Sequence, residues 1–261
     1  MRYQIPWTTL QQLVGLSMFY PAELAGAFTP TGQDDVYDNA LQVEPRDRHG
    51  DTTRVRDARG QEGTVFVGRD LEAVPVRNTE GLVVFHTHPE ATYRRLQAER
   101  FETIYGYELT ADCPSVEDFD LLPQIPLQVM LSFKGVWVYQ YTLRMRDWLG
   151  VQGPDERARV VARLHDALVR IHALRWQSNP PYATGMVTEE LADEAMARAY
   201  DLYRQFNELM LSDIDPGLPA LPVYDVALYP PRRDRWGVWS FYPYTGYLRI
   251  EVREEYEMEV D

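Results

Sequence analysis

A single cysteine, Cys113, stands in the 261 residues, so no disulfide can close within the chain, and the composition fits a reducing compartment. Lysine is equally scarce. Lys134 is the only one among 26 basic residues, a count that arginine-rich codon usage explains and that bears on no function. Basic charge is short as a whole: 40 acidic residues leave a net charge of −14. That excludes a general nucleic-acid binder, which needs a basic surface to neutralise phosphates, and favours a partner with a basic face. The acidic stretch Glu251 to Asp261 reads as a solvated terminal segment. No apolar run approaches the ~20 residues that cross a bilayer. The start, Met1 to Pro6, lacks the apolar core of a secretory signal. A cytoplasmic protein with no membrane partner is expected. With 45% apolar and 25% charged residues, the chain has the make-up of a globular protein, long enough for one large domain or a domain with an extension.

What is present divides near Gly150. Before it, Thr8 to Tyr20 reads as a helix with Thr8 as cap and Gln11 as its capping-box partner, and with Leu10, Leu13, Val14 and Met18 on one stripe. Pro21 ends it. Glu23 to Phe28 and Val36 to Val43 read as strands, and the polar stretch Pro45 to Glu62 as an exposed loop. Short apolar runs follow at 65–67, 73–76 and 82–88. Leu127 to Phe133 and Val136 to Tyr141 flank Lys134-Gly135 as a hairpin. After Gly150 come two amphipathic helices, Asp155 to Arg175 and one capped by Thr188. The first carries Val160, Val161, Leu164, Leu168 and Ile171 on one face; the second carries Leu191, Ala195, Ala199, Leu202, Phe206 and Leu209. Trp236 to Tyr242 and Tyr247 to Val252 read as an aromatic hairpin around Thr245-Gly246. The pattern predicts an α+β fold around one sheet, divided into residues 1–149 and a C-terminal extension, 150–261, packed on the core.

The most informative stretch is Gly81-Leu-Val-Val-Phe-His86-Thr-His88-Pro89. Alternate strand residues share a face, so His86 and His88 project together, and Pro89 stops the strand behind them. Only five histidines occur in the chain, which makes their pairing informative, although two unrelated histidines at a strand end would read the same way. Downstream, Pro114-Ser115-Val116-Glu117-Asp118 is a turn followed by a helix start, with a carboxylate one turn in. Two imidazoles and a carboxylate are a three-ligand set that leaves a fourth zinc position for water. Ser115 is also placed to cap that helix, with Glu117 and Asp118 in the first turn, where the helix dipole favours acids. Cys113 reads as a small packed residue, and Asp120 as pointing away from Asp118. His165 and His172 read as a solvated or structural pair, and His49 as a loop residue.

The pairing of His86-x-His88-Pro89 with Ser115-x-x-Asp118 resembles the JAMM, or MPN-plus, zinc metallopeptidase motif. Members include deubiquitinating isopeptidases and bacterial enzymes acting on ubiquitin-like or sulfur-carrier proteins. That motif takes an upstream glutamate beside a glycine, a place that Glu23-x-x-Gly26 fills. The resemblance covers roughly residues 5 to 145. It implies a three-layer α+β fold, a central mixed sheet flanked by helices, of cytidine-deaminase-like architecture. It also implies one Zn²⁺ held by His86, His88 and Asp118, with Glu23 as general base and then acid. Ser115 would donate a hydrogen bond to the oxyanion, and ubiquitin or a ubiquitin-like modifier would be the substrate. A metal-free scaffold of the same fold and a zinc hydrolase of small amides are the competing readings. One departure is the long segment 90–114 between Pro89 and Ser115, which would overhang the metal and shape substrate access.

Overall fold

Runs of β-branched and aromatic residues build the sheet, and helices of 3.6-residue periodicity cover it. The computed structural model describes residues 2–19, 24–38, 42–43, 53–56, 62–67, 83–88, 113–123, 127–132, 135–177, 189–233, 239–241 and 243–251. In chain order the elements are β1 (Arg2–Pro6), α1 (Trp7–Phe19), β2 (Leu24–Pro30), β3 (Tyr37–Asp38), β4 (Gln42–Val43), β5 (Thr53–Arg56), β6 (Glu62–Val67) and β7 (Val83–Thr87). Then follow α2 (Val116–Asp120), β8 (Leu127–Ser132), β9 (Gly135–Tyr141), α3 (Leu143–Val151), α4 (Pro154–Gln177), α5 (Glu189–Glu208) and α6 (Leu211–Ile214). The last four are β10 (Tyr224–Tyr229), β11 (Arg232–Arg233), β12 (Trp239–Ser240) and β13 (Tyr247–Glu251).

The main sheet runs β10-β9-β8-β7-β2-β6-β5-β4, with β3 beside β2. It is mixed, because β7 and β8 are parallel while their other neighbours are antiparallel. A parallel pair needs a crossover rather than a tight turn, and the described part of that crossover contains α2. Strand alternation splits the sheet's side chains between two cores. Phe28, Phe85, Val129 and Val138 face α1 and the β1–β13 ribbon. Met130, Trp137 and Tyr139 face α2 to α5, packing on Phe119, Leu164 and Phe206. The result is an α+β fold with a central mixed sheet flanked by helices. Among the described residues no helix is long and apolar enough to cross a membrane.

Several expectations need correction. The first helix begins at Trp7, so Thr8 lies inside it and caps nothing. Gln11 instead donates to the Phe241 and Tyr244 carbonyls at 2.8 and 3.0 Å. The supposed loop 45–62 contains β5, whose alternating Thr-Arg-Val-Arg pairs with β6; polar composition concealed a strand with one apolar residue in four. Within residues 36–43 the structure describes β3 and β4, with 39–41 outside the described residues. Gly135 belongs to β9, opposite Ser132, not to the turn. A Cβ there would meet Leu228 Cδ1 of β10 at 2.9 Å, so a larger residue would push that side-chain tip aside. Among the described residues flanking Gly246, β13 pairs with β1 and β12 with β11, while residues 234–238 and 242 lie outside them. Gly246, at φ 74°, accepts from Trp7 N at 3.0 Å, tying that corner to the start of α1.

The boundary placed at residues 149 and 150 falls inside α3. Beyond it, β10 supplies an edge strand of the main sheet, and Leu248 and Ile250 join the core under α1. In α4, Val160, Leu164 and Leu168 are buried, as their spacing predicts, while Val161 and Ile171 are half-buried.

Candidate metal centre

β7 lies between β2 and β8, so its backbone is held on both sides. His86 sits opposite Ala25 and Met130, and His88 N donates to Leu131 O at 2.9 Å. Phe85 belongs to the core under α1, which turns His86 and His88 to the other face, toward α2. Both are buried, with ring centroids 5.1 Å apart.

The third group comes from the first turn of α2, fixed by a capping box. Ser115 Oγ accepts from Asp118 N at 3.2 Å, and Asp118 Oδ2 accepts from Ser115 N at 2.7 Å. The reciprocal pair satisfies two backbone donors that a helix start leaves over. It also sets the rotamer of Asp118, whose Oδ1 lies 3.3 Å from His86 Nε2 and whose Oδ2 lies 3.7 Å from His88 Nε2.

These three side chains can each offer a ligand atom lying within 4.8 Å of the other two. Ligands ~2.0–2.2 Å from a tetrahedral ion stand about 3.3–3.6 Å apart, close to the 3.3 and 3.7 Å that separate Asp118 from the two imidazoles. His86 Nε2 is buried and, despite its nearness to Asp118, has no hydrogen-bond partner of acceptable geometry among the described residues. A buried polar atom without a partner is costly, and a metal ion would supply one. Burial alone would raise the Asp118 carboxyl, but the facing His86 and His88 hold it well below the ordinary carboxylate range. The carboxylate is thus ready as a ligand. His86, His88 and Asp118 form a buried group that could bind a metal ion.

Neighbouring contacts seat α2. Gln128 Nε2 donates to Asp118 O at 3.0 Å, and Tyr139 OH donates to Gln128 Oε1 at 3.2 Å. Phe119 packs against Tyr139, Phe206 and Tyr224 with centroids 5.0, 4.7 and 4.8 Å away. Asp120 Oδ2 lies 2.7 Å from His165 Nδ1 on α4. No local pattern signals that pairing, since its members are 45 residues apart. Gln128 was also missed; its one signal is an amide inside the apolar run Leu-Gln-Val-Met-Leu.

Of the other candidates, Cys113 is a buried core residue. His172 is buried, its ring centroid 5.8 Å from that of Phe206, and His165 is taken by Asp120. Glu23, His49 and residues 90–112 lie outside the described residues, as does Thr188. Glu23 precedes Leu24, the first residue of β2. No protein-family model, curated protein or solved structure matches the chain.

Proposed function

We propose that this chain is a zinc-dependent hydrolase of the JAMM type, cleaving an isopeptide or peptide bond at the carboxyl end of ubiquitin or a ubiquitin-like modifier. One observation carries the reading. Two strand-end histidines and the capping acid of a separate helix converge, buried, at near-coordination spacing. His86, His88 and Asp118 would hold the ion. Zinc, when bound, supplies Lewis acidity toward a carbonyl and brings the pKa of its water to about 7.

Ser115 is suited to donate to the oxyanion that forms as water adds to the carbonyl carbon. Capping and donation do not compete, since the cap uses an oxygen lone pair and leaves the hydroxyl proton for another acceptor. Glu23 is assigned the proton transfer, taking it from the attacking water and delivering it to the amine as the C–N bond breaks. Ubiquitin-like tails commonly bind extended, adding a strand to a sheet edge. At Val226 the β10 edge is occupied. Asn207 donates to Val226 O and accepts from Val226 N, each at 3.0 Å. The tail would therefore dock elsewhere.

Metal analysis of the purified chain should find about one zinc per molecule, and Glu23→Gln should keep the zinc while kcat falls ~10²–10⁴-fold. A panel of ubiquitin-like fusions and small amides then assigns the substrate. A wild-type protein without zinc, or a Glu23→Gln variant that loses it, would refute the assignment of roles.

A further inference from the structure

We infer that Gln128 is a positioning residue for the metal carboxylate, fixing the distance between Asp118 and the two histidines through the sheet itself. The inference rests on the metal-binding reading above.

α2 has five residues, too few to hold its shape or place unaided. Its capping box orients Asp118 within the helix, but both partners belong to that segment, so the box cannot fix the helix against the sheet. Phe119 anchors it through apolar contacts that tolerate sliding. Asp120 meets His165 of α4, and Gln128, which is 1% exposed, gives α2 a buried directional link to the sheet by donating to the backbone carbonyl of Asp118 itself. Gln128 lies opposite Val84 in the β7–β8 ladder, two positions from the Met130–His86 pair. The strand pair that places His86 therefore also places the tether.

Tyr139, 0% exposed and opposite Gln128 in β9, determines which end of the amide faces Asp118. Its hydroxyl donates to Oε1, leaving Nε2 to face the carbonyl. An amide in a buried strand is unfavourable unless its polar ends are paired, and an apolar side chain of similar shape can be equally stable there. Stability alone gives little reason for glutamine at this position, whereas holding a ligand-bearing helix at a fixed distance does. Residues that support metal ligands from behind commonly change metal affinity ~10–100-fold when altered.

The test compares Gln128→Met with Val129→Ala. Val129 is a fully buried neighbour on the opposite face of the same strand. For each variant and the wild type, the zinc Kd is measured by competition with a chromophoric chelator, and cobalt(II) is bound to record its visible spectrum. Gln128→Met should raise the Kd ~10-fold or more and change the cobalt spectrum. Val129→Ala should lower the thermal midpoint while leaving Kd and spectrum unchanged. A Gln128→Met variant with wild-type Kd and spectrum overturns the inference, as does an equal loss in Val129→Ala. If Gln128→Met does not fold, Tyr139→Phe decides: it should raise the Kd above that of Val129→Ala, and an unchanged Kd is fatal. A wild-type chain that takes up neither zinc nor cobalt defeats the metal reading itself, an outcome distinct from failure of the tether.

Discussion

Asparagine in place of Asp118 would separate the two tasks of that side chain. Its amide oxygen can still accept from Ser115 N, so the cap survives. What disappears is the negative charge lying 3.3 Å from His86 Nε2 and 3.7 Å from His88 Nε2. If the three side chains hold an ion, as proposed, binding to the folded chain alone adds to fold stability. With zinc a hundredfold above its Kd, the folded wild type should then gain ~2.7 kcal/mol. For a chain of this size that is a rise in Tm of ~5–10 °C. If losing the ligand weakens affinity ~100-fold, the upper end of what even supporting residues achieve, the same zinc adds only ~0.4 kcal/mol to the variant, or about 1 °C. Thermal unfolding of both proteins in chelator and in zinc measures the two increments, with the chelator pair removing any metal-independent difference. Equal zinc-induced rises in wild type and Asp118→Asn would refute the placement of the ion on Asp118.

Two further outcomes test the framework around the site. Tyr141 and Tyr224 are buried and their rings stack at 5.5 Å; burial, then the Asp120 charge, raises the Tyr141 phenol, and burial, then Tyr141 and Asp120, raises that of Tyr224. The unfolded chain ionises first, near pH 10, so their contribution is intact below that pH and is lost as pH rises above it. Each tyrosine should contribute a decline of up to ~1.4 kcal/mol per pH unit, and Tyr141→Phe should remove one such share in guanidinium unfolding above pH ~10; an unchanged slope would count against the burial argument. Asn207→Asp keeps the acceptor for Val226 N but loses the donations to Tyr203 O and Val226 O at 2.9 and 3.0 Å. A loss of ~2 kcal/mol is expected, and a variant with wild-type denaturant midpoint would show that the β10 edge does not depend on this amide.

Legibility followed sequence distance. The stripe on α4 and the β8–β9 hairpin were readable because their partners lie within a few residues or across one turn. The flanks of Gly246 also carried a hairpin pattern, yet β13 pairs with β1 across almost the whole chain, and no local signal competes with that. β5 escaped because Arg54 and Arg56 made the stretch resemble a loop, whereas its pairing with β6 decides its conformation. Asp120 and His165, and Gln128 and Asp118, were invisible as pairs for the same reason: each joins a side chain to a group that only the fold brings near.

The site itself was legible because its spacing is determined twice. Strand alternation puts residues i and i+2 on one face, so His86 and His88 converge whatever the surrounding fold. In Ser115-x-x-Asp118 the acid falls at the third helical position, where it can accept from the cap residue's backbone. One carboxylate oxygen does so at 2.7 Å, and the other is left facing His86 at 3.3 Å. A spacing that helix capping alone would favour is therefore also the spacing that presents a fixed carboxylate to the two histidines. For that reason the capping box explains how Asp118 is oriented without accounting for the two histidines buried opposite it.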